Sequence, residues 1–165
     1  VEERSRTGRD RVNLGGMDTT PEPMFPLPSG APLRPVVHTQ SDLLHLWQAL
    51  MGELGFSRSS TWTLRLDPDG RPVPGLLEIE DCDGDPVPEH LDSLTALCLD
   101  VGGTSGRWVF LRSRPGRHGP DATDRAWARE LTLACRRAGL GTDVVHLATD
   151  QRLVPLPADD LLASA

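Results

Sequence analysis

The stretch Val109-Phe110-Leu111-Arg112-Ser113-Arg114-Pro115-Gly116-Arg117-His118-Gly119-Pro120-Asp121-Ala122-Thr123-Asp124-Arg125 joins three kinds of local structure in seventeen residues. Its apolar start reads as a strand. Proline, glycine and arginine then make a tight loop. Asp121-Ala122-Thr123-Asp124 is a capping arrangement that opens a helix with acids at its positive end. In open α/β folds the junction outside the carboxyl end of a strand is where ligand binding or chemistry sits. The chain is therefore expected to build an α/β fold around residues 107–111 as the central strand, with this loop as its site.

The elements on either side follow from periodicity. Ser41 or Asp42 can cap a helix whose apolar residues Leu43, Leu44, Trp47, Leu50, Met51 and Leu54 recur at helical spacing, with Gly55 placed to end it. His45 falls at the edge of that stripe, as a solvated histidine would. Residues 61–66 alternate, Trp62, Leu64 and Leu66 against Thr61, Thr63 and Arg65, and Asp67-Pro68-Asp69-Gly70 turns the chain. The return through residues 73–80 makes 60–80 a hairpin, with Pro72 and Pro74 setting its start at an edge or a bulge. Pro88 opens a second helix with Leu91, Leu94, Leu97, Cys98 and Val101 on one stripe, closed by Gly102-Gly103. Trp127, Leu131, Ala134, Cys135 and Ala138 form the buried stripe of a third helix that Gly139 ends. A strand at 144–147, a turn at 149–152, a strand at 153–156 and a short helical end at 158–162 complete the order.

Composition narrows the function. At 165 residues with 38% hydrophobic content, one domain is the natural reading. All 17 basic residues are Arg, the pattern of a GC-rich genome, so arginine abundance by itself says little about function. The net charge of −7 disfavours general nucleic-acid binding, which draws on a basic footprint. Cys82, Cys98 and Cys135 are odd in number and lack Cys-x-x-Cys spacing, as expected of reduced thiols in a cytoplasmic protein. No apolar run reaches the roughly 20 residues of a membrane helix. Residues 1–35 hold Arg4, Arg6, Arg9 and Arg11 and then six prolines from Pro21 to Pro35, and are expected to be a disordered tail ahead of a domain at 36–165. Met17 offers an alternative start.

Glu78, Glu80, Asp81, Asp83 and Asp85 form an acidic knot. Its Asp81-x-Asp83-x-Asp85 spacing suits a calcium loop, but Pro86 stands where that loop needs glycine and Asp92 where it needs glutamate. A solvated acidic turn is the better reading. Asp100-Val101-Gly102-Gly103-Thr104 looks like a sugar-kinase phosphate loop, and a helix-to-strand turn accounts for its glycines.

The order of elements over residues 36–162 resembles the JAB (MPN) family, most closely its RadC-type branch. Arg114-Pro115-Gly116 through Asp124-Arg125 is similar to the family's His-Pro-x-Gly…Asp loop. Residues 61–66 ending in Asp67 look like its first hairpin, and Val145-His146-Leu147…Asp150 resembles its later Asp-His-Leu…Asp hairpin. The resemblance implies a mixed sheet, two hairpins plus a central strand, flanked by about three helices in cytidine-deaminase-like layers. It also implies a zinc held by two histidines and an aspartate, with a glutamate base and a serine at the oxyanion. Here those histidines align with Arg112 and Arg114, which are permanently protonated and cannot ligate a cation. The glutamate aligns near Ser59 and the serine near Asp121, and only Asp124 is retained.

The expectation is therefore a domain without the family's catalysis, a binding or scaffold module with no cofactor. Its former metal pocket would be lined by Arg112, Arg114, Arg117, His118, Asp121, Asp124 and Ser59. Its partner would be an unknown protein or an anionic ligand, such as a carboxylate tail recognised bidentately by arginine. The competing structural reading pairs the arginines internally with Asp121, Asp124 or the acidic knot. The alternative enzyme is a JAB-type zinc metallopeptidase with ligands rearranged around His118 and Asp124. The zinc-deaminase His-x-Glu and Pro-Cys-x-x-Cys pair is absent, as is a Gly-x-Ser-x-Gly nucleophile elbow.

Overall fold

The structure, a computed structural model, describes residues 35–157. The expected tail up to residue 34 and the helical end at 158–162 lie outside the described residues. Helix α1 spans Gln40–Met51, and its cap is Thr39 rather than Ser41 or Asp42. Thr39 Oγ1 accepts the Asp42 amide, and the Asp42 carboxylate accepts the amides of Thr39 and His38. This reciprocal box satisfies donors that a helix start leaves open. The helix stops at Gly52, three residues before the expected Gly55, because Gly52 takes a positive φ of 62°. Leu46, outside the expected stripe, is buried beside Leu43 and Trp47.

Strand β1 (Ser60–Leu66) turns through Asp67–Gly70, and the returning chain pairs again as the short β2 (Leu77–Ile79). Between them the return is held by a bridge from Leu66 to Pro72, with the Val73 amide on the Arg65 carbonyl and the Asp67 amide on the Arg71 carbonyl, and by the Arg71 amide on the Asp67 carboxylate. Pro72 and Pro74 lack ladder donors, which shortens the expected strand from its start. Helix α2 (Pro88–Gly102) leads to β3 (Arg107–Ser113), which runs two residues past the expected end and so includes Arg112. Helix α3 (Ala122–Arg137) crosses over to β4 (His146–Ala148), parallel to β3, and β5 (Leu153–Pro155) returns antiparallel.

The five strands lie in the order β2-β1-β3-β4-β5, a mixed sheet of the expected α/β class. Successive residues of β3 point to opposite faces. Leu64, Leu66, Val109, Leu111 and Ala148 pack under α1. Trp108, Phe110 and Leu147 pack under α2 and α3, through Leu91, Leu94, Trp127 and Leu131. Two residues expected in the buried stripe of α2 are not buried: Leu97 is 45% and Val101 69% exposed. Thr95 fills the inner face in their place, its hydroxyl returned to the Asp92 carbonyl. No helix among the described residues is long and apolar enough to cross a membrane.

Candidate functional site

The site forms where the last turns of β3 meet the first turn of α3. Arg112 lies opposite Thr61 of β1 and Leu147 of β4, so its side chain shares the α2–α3 face with Phe110. Helix α3 starts over this point because Asp121 and Asp124 cap each other. The Asp124 amide donates to Asp121 Oδ1 at 2.8 Å, and the Asp121 amide donates to Asp124 Oδ2 at 3.0 Å. The box aims the Asp124 carboxylate inward, where it is 0% exposed.

Two guanidiniums meet it there. Arg112 Nε donates to Asp124 Oδ1 at 2.9 Å. Arg114 Nε reaches both oxygens at 3.1 and 3.0 Å, and its Nη2 reaches Oδ2 at 2.9 Å. Arg112, 2% exposed, also donates from Nη1 to the Cys82 carbonyl at 2.9 Å and lies 5.2 Å from the centroid of the Trp127 ring. That is cation–π range in a desolvated position. Arg114 donates to the Gly119 carbonyl and sits 3.7 Å from the Asp121 carboxylate.

The electrostatics follow from these contacts. Burial pushes the Asp124 carboxyl up, but the hydrogen bonds from Arg114, the Asp121 amide and Arg112 outweigh it and hold Asp124 below the usual carboxylate range. The same hydrogen bond, donated to Asp124, raises Arg114 further above its already high value.

The loop itself is anchored by Asp150, in the turn between β4 and β5. Its carboxylate accepts the Gly116 amide at 2.7 Å and the Phe56 amide at 2.9 Å, while its own amide donates to the Gly116 carbonyl. Those two amides also hold the Asp150 carboxyl below its ordinary value.

Of the seven expected site residues, Arg112, Arg114, Asp121 and Asp124 are thus joined in one cluster. Arg117 and His118 are exposed on the loop. Ser59 is buried where its carbonyl accepts the Cys82 amide, tying the start of β1 to the acidic turn. The acidic knot meets Arg112 through the Cys82 backbone and not through its carboxylates. Three contributors were not anticipated: the Cys82 carbonyl, the Trp127 face, and Asp150. Backbone carbonyls leave no mark in a sequence, and Trp127 carried only a core signal. Asp150 did carry one, as an acid in a turn between two short strands.

A zinc ion of the kind the family resemblance implies does not fit this donor set. The two positions that the resemblance would give to imidazoles hold cations, and both bond the Asp124 carboxylate. Among the described residues no three His, Cys, Asp or Glu side chains converge as a metal-holding group. What the cluster can do is lock β3, the loop, α3 and the acidic turn together through one carboxylate. No protein-family model matches the sequence, and no curated protein is found similar to it.

Proposed function

We propose that this chain is a non-catalytic JAB/RadC-like domain acting as a binding or scaffold module, in which an Arg112–Asp124–Arg114 cluster stands at the position of the family's metal. The observation that carries the reading is the Asp124 carboxylate, fully buried and engaged by both guanidiniums. A metal bridges secondary elements through several donors. Here two guanidiniums on one carboxylate bridge the same kind of elements, and the cation–π contact with Trp127 fixes the deeper one. Of the two arginines only Arg114 keeps an outward edge, its side chain 13% exposed, with Arg117 exposed beside it. An anion or carboxylate tail would meet the site at that edge and not in a cleft lined by Arg112.

Zinc titration tests this. The full chain should show no stoichiometric uptake by calorimetry or elemental analysis. The double variant Arg112→His, Arg114→His should take up one zinc per chain through the two imidazoles and Asp124. One zinc on the unaltered chain, lost in His118→Ala or Asp124→Asn, would overturn the reading in favour of a metallopeptidase with rearranged ligands.

A further inference from the structure

We propose that the outer edge of β2 is a docking edge for an extended segment of a partner protein in which apolar residues alternate with basic ones. This edge is separate from the Asp124 cluster, and the inference stands whether or not that cluster replaces a metal. β2 ends the sheet, and among the described residues no strand pairs with its outer side. Such an edge presents unpaired N–H and C=O groups ready for another strand.

The side chains beside the edge are shaped for one. Leu77 and Ile79 share the α2 face, with Glu78 between them on the other. Leu77 borders a hollow of about 300 Å³ with Leu97, Cys98, Val101 and Trp108. Ile79 borders a second hollow of about 480 Å³, floored by Val87, Leu91, Leu94 and Trp127. The two are one strand repeat apart along β2, roughly 7 Å. A strand laid on the edge therefore places residues i and i+2 over both. Leu77, Leu97 and Val101 already expose 37%, 45% and 69% of their surface there, on two different elements.

Charge decides the partner. The residue between the two apolar anchors would face Glu78, and the second hollow is rimmed by Glu80, Asp81, Asp83 and Asp85. Among the described residues only Glu80 of these has an ion pair, with Arg58. A second copy of this chain is disfavoured, because strand pairing would bring Glu78, Glu80 and Asp81 of both copies onto one edge. A basic residue between apolar ones fits both requirements.

The test uses two capped synthetic heptapeptides, one alternating valine with arginine and one alternating valine with glutamate, titrated against the full chain by fluorescence anisotropy. The arginine peptide should bind at least about tenfold more tightly than the glutamate peptide. Val101→Asp, a change on an exposed helix face, should weaken it by about tenfold. Glu78→Arg should shift the preference toward the glutamate peptide, and hydrogen exchange at the β2 amides should slow on binding. Equal binding of the two peptides, no effect of Val101→Asp, or unchanged exchange at β2 would overturn the proposal. So would a concentration-dependent dimer that the peptide dissociates, which would assign the edge to a second copy. Zinc on the unaltered chain would sink the reading of the Asp124 cluster and leave this edge untouched.

Discussion

Asp124 and His146 are buried titratable groups whose environments both favour the deprotonated form, so both weaken the fold as pH falls, in different ranges. Asp124→Asn preserves shape and removes the charge, leaving two guanidiniums against a neutral amide. Removing one partner of a buried ion pair costs about 3–5 kcal/mol. Urea denaturation of this variant should show a loss in that range, and Arg114→Gln a smaller one, because Arg114 keeps an outward edge. A loss under about 1 kcal/mol for Asp124→Asn would place the pair among surface bridges instead. Since the folded Asp124 carboxyl sits below the ordinary 3.8, its contribution is complete above that value and fades as pH falls through the lower folded one. His146 acts higher. Burial lowers it from 6.5 to about 4, its Nδ1 lies 3.1 Å from the Val144 carbonyl, and its Nε2 has no partner. Between those values the unfolded chain binds the proton and the folded one does not. Stability should therefore decline as pH drops from about 6.5 toward about 4, and His146→Leu should flatten that decline in denaturation midpoints measured at pH 7 and pH 4.5.

Elements succeed or fail in sequence according to how local their causes are. Three helices and the central strand were legible because apolar spacing and capping residues act within a few positions. The start of α1 was misplaced because Thr39, Ser41 and Asp42 all qualify as caps, and only Thr39 leaves its partner at the third helical position. Leu97 and Val101 were assigned to the core because helical spacing says which residues share a stripe, not how wide a stripe the sheet can cover. The sheet edge at β2 reaches only part of α2, so the outer half of its stripe stays open. The β1–β3 register depends on a non-local contact with an unmistakable steric cause. Gly106 enters β3 at φ 78°, and a Cβ there would sit 2.1 Å from the Leu66 carbonyl oxygen. Gly106→Ala should cost on the order of 2 kcal/mol or more, with both the backbone conformation and the close approach opposing it. A melting temperature equal to that of the unaltered chain would show that the turn can re-form around the methyl group.

At the scale of the whole molecule, the site was half legible. Asp124 and the two arginines stood out against the pattern the sequence resembles. Their mutual engagement did not, since nothing in a linear sequence says whether a guanidinium turns inward to a carboxylate or outward to a ligand. Capping decides it: the Asp121–Asp124 box points the carboxylate at β3, and Cys82 and Trp127 close the far side. The first described residues are tied in by contacts of the same kind. Val37 is buried against α1 and the sheet, its amide donates to the Gly70 carbonyl, and its carbonyl accepts from Arg107. Gly70 is required for this contact, because a Cβ there would lie 2.4 Å from the Val37 oxygen. Arg107 in turn is paired with Asp143, which joins the start of the domain to the approach to β4. Both core clusters close using residues from Val37 to Leu156. A chain beginning at Pro35 should therefore melt within a few degrees of the full chain. One beginning at Gln40 loses the Val37 contacts and the Thr39 cap together. The lost cap alone costs about 1 kcal/mol, and burial of a valine side chain adds about 1.5 kcal/mol or more, so its melting temperature should fall by roughly ten degrees. If the chain from Pro35 melted as low as the chain from Gln40, residues 1–34 would have to contribute packing that the two clusters do not contain.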